Sequence, residues 1–135
     1  MQALHANGNA VFRLVYHLVL VTKYRQKVLT GPMVDRAAEI LRGLAVVWRG
    51  ELVACSGEAD HLHALLDLPP AVRPSDVVNN LKTVTSRRLR AEFPALRSAY
   101  RGKAVLWSPS YCLISAGGAP IDVLRRYIEV QDKPT

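Results

Sequence analysis

The chain has 135 residues, which suits one domain spanning residues 1–135, and half of them are hydrophobic. A chain of this composition can bury a core, so a disordered tail is excluded. Lys and Arg number 18 against 11 Asp and Glu, and this net charge of +7 favours a polyanionic partner, with nucleic acid ahead of a membrane surface.

Hydrophobic periodicity and turn residues divide the chain into alternating strands and helices. In chain order we predict a loose lead-in at 1–10, a strand at 11–22, a helix opened by Thr30 and ended by Gly50, strands at 51–56 and 61–68, a helix at 74–93 stopped by Pro94, a strand at 103–114 and a last helix at 119–132. The fourth strand contains Ser108-Pro109, which indicates a bulge or an edge position.

The order β-α-β-β-α-β predicts an α+β fold of the ferredoxin-like (RRM-like) kind. Such a domain is one antiparallel sheet with two helices on one face, and the other face is left open. The extra C-terminal helix then packs on the open face or reaches a neighbouring chain.

The cysteines and the N-terminal sequence indicate in which cellular compartment the protein is expected. Cys55 and Cys112 lie in apolar, strand-like stretches without CxxC spacing, so we expect two buried, reduced thiols. The N-terminus has no signal-peptide pattern, and the apolar stretch 11–21 is interrupted by Arg13 and His17. We therefore expect a soluble, cytoplasmic protein that does not bind membranes.

Two histidines share one face of the predicted strand 61–68. Side chains alternate along a strand, so His61 and His63 face one way while the wholly apolar positions between them face the helices. Both imidazoles are then near enough to bind one metal ion. An HxH pattern is common, however, and more often gives two half-exposed polar residues. Asp60 either orients an imidazole or is an ordinary turn residue.

The predicted last helix carries Tyr127 and Gln131 one turn apart. A helical projection puts both on the inner side next to Leu124, away from the charged residues. A tyrosine there is commonly part of a core, whereas a glutamine needs polar partners or lies where the helix frays into water. Tyr127 and Gln131 facing a sheet surface that carries HxH indicate a functional site more specifically than the helix pair or the HxH pattern does alone.

Five segments of the chain together resemble a known family. They are YHLVLVTKYRQKVL (16–29), DHLHALL (60–66), LKTVTSRRL (81–89), LWSPSYCLIS (106–115) and YIEVQ (127–131). In order and spacing they are similar to the small single-strand transposases (TnpA) of bacterial insertion sequences, which belong to the His-hydrophobic-His (HUH) nucleases. One departure is visible, because the residue before DHxH is usually Pro in the family and is Ala59 here.

The resemblance implies a site and an assembly. It implies Tyr127 as nucleophile and Mg²⁺ or Mn²⁺ as cofactor, with His61, His63 and Gln131 as metal ligands. It also implies a homodimer in which the last helix of one chain serves the other chain's site. The partner would be single-stranded DNA with hairpins near the element's ends, in a bacterial or archaeal cytoplasm and at the nucleoid during the reaction.

The chemistry that follows is cleavage and rejoining through a covalent intermediate. The unperturbed pKa of a tyrosine is about 10, so a metal ion acting as Lewis acid is needed to assist Tyr127. Attack would leave a 5′-phosphotyrosine and a free 3′-OH, and a different 3′-OH could later displace the tyrosine without ATP. The sequence identifies no general base.

The basic residues predict where DNA is held. One group of candidates follows the first strand, and a second group lies on the second helix. Each cation alone is explained equally well as a solvated surface residue. As a set they indicate a surface that contacts phosphates, with one aromatic that stacks on a base. The predicted DNA-contacting residues are Lys23, Tyr24, Arg25, Lys82, Arg87 and Arg88.

Three other functions are compatible with parts of this pattern. A non-catalytic nucleic-acid-binding module would show RNP-type aromatics, which no strand has. A domesticated relative that nicks repeat hairpins would share the chemistry and differ in its genome context. A metal-dependent hydrolase of small molecules is disfavoured by the +7 charge and by the expected lack of a third histidine or carboxylate in the site.

Overall fold

A computed structural model of the chain describes residues 4–8, 10–116 and Arg126. Its elements are β1 (His5–Ala6), β2 (Val11–Phe12), β3 (Val15–Thr22), a 3₁₀ turn (Lys23–Arg25), α1 (Gly31–Val47), β4 (Glu51–Glu58), β5 (His61–Asp67), α2 (Pro74–Glu92), α3 (Pro94–Ala99) and β6 (Trp107–Ser115). The predicted helix 119–132 lies outside the described residues, apart from Arg126.

The main sheet has four strands in the order β4-β5-β3-β6, with every neighbouring pair antiparallel. This is the order of a ferredoxin-like sheet, so the predicted α+β fold is confirmed. Both long helices pack on one face, where leucines of the sheet and of the helices form the main core. Its fully buried members include Leu18, Leu20, Leu41, Leu62, Leu66, Leu81 and Leu89.

The first predicted strand is interrupted, and the lead-in is not wholly loose. The pairing of β3 with β5 begins at Val15, which lies opposite Asp67, the last residue of β5. Leu14 adds one further backbone contact, because its carbonyl accepts a hydrogen bond from the Leu68 amide at 2.9 Å. The chain instead pairs Val11–Phe12 with His5–Ala6 in a small two-stranded sheet. The prediction of one continuous strand over 11–22 was therefore wrong.

The helix and turn signals are confirmed, with one correction. Thr30 caps α1 by accepting a hydrogen bond from the Met33 amide at 3.4 Å, with Pro32 in the first turn. Pro94 follows the end of α2 as predicted but also opens the short helix α3, because proline suits the first position of a helix. The sequence prediction had no helix there.

Strand β6 begins later than predicted and lies at the edge of the sheet. Its pairing with β3 shifts register between Leu20 and Thr22, next to Ser108-Pro109, which confirms the predicted irregularity. The expected burial of both cysteines was wrong for Cys112, which is exposed on this edge strand. Cys55 is partly buried on the helix side, and burial raises the pKa of its thiol to about 12. Across the described part of the chain, no helix is long and apolar enough to cross a membrane.

Candidate metal centre and nucleic-acid interface

The two faces of β5 are arranged as its alternation predicts. Leu62, Ala64 and Leu66 lie in the main core beneath the helices. His61 and His63 lie on the other face, which neither α1 nor α2 covers. Next to them, Leu65 joins a small second cluster with Val15 and Ala54, so this open face is not purely polar. The histidines are thus held on a rigid strand that is buried on its reverse side.

His61 is held from behind by a carboxylate. Its Nδ1 donates a hydrogen bond to Asp60 Oδ1 at 2.7 Å, and this bond is the main reason that the pKa of Asp60 lies below its usual value. The Asp60 backbone is fixed in turn by Thr22, whose amide and hydroxyl both donate to the Asp60 carbonyl, at 2.9 and 3.2 Å. Asp60 therefore orients the imidazole, and Nε2 of His61 is the nitrogen left for a ligand.

His63 is held by a third histidine, which the sequence analysis did not include in the site. Nδ1 of His63 and Nε2 of His17 are 2.9 Å apart, and the two rings lie nearly parallel at 27°. Burial first, then the charges of His61 and His17, lower the pKa of His63 to about 4. The imidazole is therefore neutral at pH 7, which is the form that binds metals. The rings of His61 and His63 meet edge to face, with centroids 4.8 Å apart.

A carboxylate also lies beside His61. Glu58 is directly opposite His61 in the β4–β5 pairing, and its Oε2 is 3.8 Å from Nε2 of His61. Ligand atoms of Glu58, Asp60 and His61 all lie within 4.8 Å of one another. The expectation that the site lacks a third histidine or carboxylate was therefore wrong. The register of β4 and β3 against β5 brings Glu58 and His17 close to the two site histidines. This register cannot be predicted from the sequence of β5 alone.

These residues fit a divalent cation of the Mg²⁺ or Mn²⁺ kind. Each of the two site histidines has one ring nitrogen engaged and the other left for an ion, and a carboxylate oxygen is at hand. The other two predicted site residues, Tyr127 and Gln131, lie outside the described residues.

The first predicted DNA-contacting group forms the turn after β3. Tyr24 is 74% exposed with φ near +60°, and the Lys23 ammonium lies 5.6 Å from the centre of its ring. Arg25 is 3.4 Å from the second carboxylate oxygen of Asp60. The turn therefore presents an aromatic and two cations, and one of these cations, Arg25, lies next to the carboxylate that binds His61. These three residues stay predicted DNA contacts.

The second group lies on α2. Lys82 donates to the carbonyls of Ser108 and Pro109, at 2.8 and 2.9 Å, so its ammonium has little donor capacity left for a phosphate. Arg87 and Arg88 are exposed, and Arg88 is 3.9 Å from Glu92. These three also stay predicted DNA contacts; Lys82 already donates to backbone carbonyls, and Arg88 already lies near a carboxylate.

Two clefts with basic walls meet at Val105, just before β6. One, of about 250 Å³, includes Lys82 and Arg90 in its lining, and the other, of about 320 Å³, includes Lys23, Arg101 and Lys103. Part of the net positive charge is therefore concentrated on the side of the fold where β3 ends and β6 begins.

Comparison with known proteins identifies the class. Residues 10–131 match the family described as "Transposase IS200 like". The chain is 35% identical over 121 residues to the ISDra2 transposase TnpA of Deinococcus radiodurans, covering 90% of this chain and 86% of that one. It is 30% identical over 102 residues to the IS200 transposase of Salmonella typhimurium, covering 76% of this chain and 66% of that one.

Two solved structures of transposases are similar to this chain. A transposase crystal structure from Deinococcus radiodurans R1 superposes with a TM-score of 0.76 at 35% identity, covering 96% of this chain and 98% of that one. A REP-associated tyrosine transposase bound to a REP hairpin superposes with a TM-score of 0.51 at 14% identity, covering 93% of this chain and 68% of that one, which supports the fold alone. The protein is a DNA-processing enzyme of the transposase class. It belongs to the IS200-like transposase family.

Proposed function

We propose that this chain cuts and rejoins single-stranded DNA at the ends of an insertion sequence, with Tyr127 as nucleophile and a divalent ion held by His61 and His63. The observation that carries the proposal is the anchoring of both imidazoles on the open sheet face. Asp60 binds one ring and His17 the other, each through a single nitrogen, so the remaining nitrogens are fixed in direction.

Mg²⁺ or Mn²⁺ is the proposed ion, and Gln131 is the proposed further ligand. Bound there, the ion would supply Lewis-acid polarisation of the scissile phosphate. The protein's part is to hold the two imidazoles in place, each with one ring nitrogen directed away from its hydrogen-bonding partner. Glu58 adds a negative charge beside His61, which favours a cation over an anion at this end of the sheet.

The proposed reaction is an in-line displacement at phosphorus. The Tyr127 phenol loses its proton as its oxygen bonds to phosphorus, and the bond from phosphorus to the 3′ oxygen breaks. The products are a 5′-phosphotyrosine and a free 3′-OH. When a different 3′-OH attacks, its oxygen bonds to phosphorus, the bond from phosphorus to the tyrosine oxygen breaks, and the tyrosine regains a proton as the hydroxyl loses one. This step joins the new strand and restores the tyrosine, so no nucleotide cofactor is needed.

We propose that the turn Lys23–Arg25 and the exposed arginines of α2 contact the DNA backbone, with Tyr24 stacking on an unpaired base. The REP hairpin in the distant structural relative supports hairpin DNA as the class of partner. We further propose a homodimer in which the Tyr127 helix of one chain completes the site of the other.

A repeat-hairpin nickase that has lost mobility is the second candidate and uses the same chemistry. The 35% identity to an insertion-sequence transposase, against 14% to the REP-associated enzyme, favours the mobile-element function. The DNA flanking the gene discriminates the two, because subterminal hairpins on both sides mark a mobile element.

The direct test of the metal role is cleavage of labelled single-stranded flanking DNA with Mg²⁺ or Mn²⁺. His61→Ala and His63→Ala should each lose most cleavage, and EDTA should abolish it in the wild type. Val21→Ala is the matched control, since Val21 lies opposite His61 in the β3–β5 pairing without offering a ligand. Full cleavage in EDTA would overturn the metal role.

A further inference from the structure

His17 is a polar residue in a largely apolar part of the open face. In the pairing it lies opposite Leu65 of β5 and Ile114 of β6, and its side chain is half-buried. A polar ring in this position needs a partner, and it has one in His63.

The direction of the hydrogen bond between the two rings decides which nitrogen of His63 is left for an ion. In a hydrogen bond between two imidazole nitrogens 2.9 Å apart, one nitrogen carries the hydrogen and the other accepts it. If Nδ1 of His63 donates, then Nε2 of His63 keeps its lone pair and can bind an ion. If His17 were instead the donor, the hydrogen of His63 would sit on Nε2 and block it.

His17 is better placed as a support than as a ligand. Its Nε2 faces Nδ1 of His63 at hydrogen-bonding distance, so that lone pair is used in the contact. The position of His17 thus parallels that of Asp60, behind a ligand rather than in front of it.

We infer that His17 is a positioning residue for the metal centre: it accepts a hydrogen bond from Nδ1 of His63 and thereby holds Nε2 of His63 unprotonated and aimed at the ion. The inference rests on the proposed metal site at His61 and His63. The two site histidines then have different supports, a carboxylate for His61 and a neutral imidazole for His63.

Two variants of the full-length protein separate this role from simple packing. His17→Phe keeps a ring of similar size but removes the acceptor, whereas His17→Gln keeps an acceptor near the position of Nε2. Mn²⁺ affinity, measured by electron paramagnetic resonance, should fall about 10- to 100-fold in His17→Phe. His17→Gln should retain most of the wild-type affinity, and Ile114→Ala, which alters the neighbour of His17, should leave it unchanged.

Nitrogen NMR of the metal-free wild type provides a readout that does not depend on the variants folding. It should show the hydrogen of His63 on Nδ1, with a scalar coupling across the hydrogen bond to Nε2 of His17. In His17→Phe the hydrogen should redistribute between Nδ1 and Nε2 of His63.

The outcomes are distinguishable from those of the proposed function. If His61→Ala and His63→Ala bind Mn²⁺ like the wild type, the metal centre itself is wrong and the role of His17 falls with it. If those variants lose Mn²⁺ but His17→Phe binds normally, only the positioning role is overturned. Equal losses in His17→Phe and His17→Gln, or a wild-type His63 with its hydrogen on Nε2, would also overturn it.

Discussion

Oδ1 of Asp60 accepts a hydrogen bond of 2.7 Å from Nδ1 of His61, the next residue in the chain. Adjacent residues on a strand normally point to opposite faces, so this contact is possible only because Asp60 lies in the turn just before β5. The Thr22 hydrogen bonds that fix the Asp60 backbone tie this turn to the end of β3. The support of the metal centre is therefore built into the hairpin itself.

Asp60→Asn should lower the affinity for Mn²⁺ about tenfold, because a neutral amide accepts a weaker hydrogen bond from His61 and makes it a poorer ligand. Titration of the full chain with Mn²⁺ measures the change. Asp76→Asn, which removes an exposed carboxylate from α2 on the other side of the sheet, is the control. Unchanged affinity in Asp60→Asn would show that the contact does not support the site.

The pair between Arg36 of α1 and Glu92 of α2 should make stability depend on pH in the acidic range. The hydrogen bond from Arg36, with Nε 2.7 Å from Oε1, lowers the pKa of Glu92 below the usual value of a glutamate. A depressed folded-state pKa contributes stability above the unfolded-state pKa and loses it as the pH falls through the folded-state value.

The stability difference between wild type and Glu92→Gln should therefore shrink as the pH is lowered from neutrality to below the pKa of Glu92. Urea unfolding at a series of pH values measures it. Glu39→Gln is the matched control, since Glu39 lies 3.9 Å from the same arginine and is largely exposed. A difference that stays constant with pH would contradict the assignment.

The two thiols should differ in reactivity. Burial raises the pKa of Cys55 to about 12, so its thiol stays protonated at pH 8, whereas Cys112 is exposed. A colorimetric thiol reagent should modify one cysteine rapidly in the native protein and both after unfolding. Loss of the rapid phase in Cys112→Ser identifies the residue, and rapid loss of two thiols from the native wild type would refute the prediction.

Sharing of sites between chains is testable by complementation. Tyr127→Phe and the double variant His61→Ala/His63→Ala should each be inactive alone. If the tyrosine acts in trans, a mixed dimer has one site that lacks both functions and one that is complete, so cleavage should return on mixing. Absence of recovery in purified heterodimers would mean that the tyrosine serves its own chain's site.

The sequence predicts the fold and the sheet face of two candidate site residues, for identifiable reasons. Strict alternation along β5 was enough to assign His61 and His63 to the open face. His17 and Glu58 could not be assigned in this way, because their contacts depend on the register of β3 and β4 against β5. Alternation along β3 does put His17 on the open face, so a pairing hypothesis for β3 and β5 would have found it.

The misassigned elements have local causes. Pro94 both follows the end of α2 and is the first residue of α3. The local sequence does not show that a second helix begins there, and the burial of Leu96 in the core is what favours it. The break between Phe12 and Val15 follows from where β5 ends, which the apolar run 11–22 does not reveal.

The central claim is that Tyr127 forms a covalent bond to DNA with the help of a metal at His61 and His63. The most direct measurement is incubation of the wild-type protein and Tyr127→Phe with single-stranded flanking DNA in Mn²⁺, with DNA labelled on the 3′ side of the cut and denaturing gels to detect a protein–DNA adduct. The account predicts a labelled adduct for the wild type that disappears with EDTA and in Tyr127→Phe, while hairpin binding by the variant is retained. An adduct of equal yield in Tyr127→Phe, or strand cleavage by that variant at the wild-type level, would contradict it.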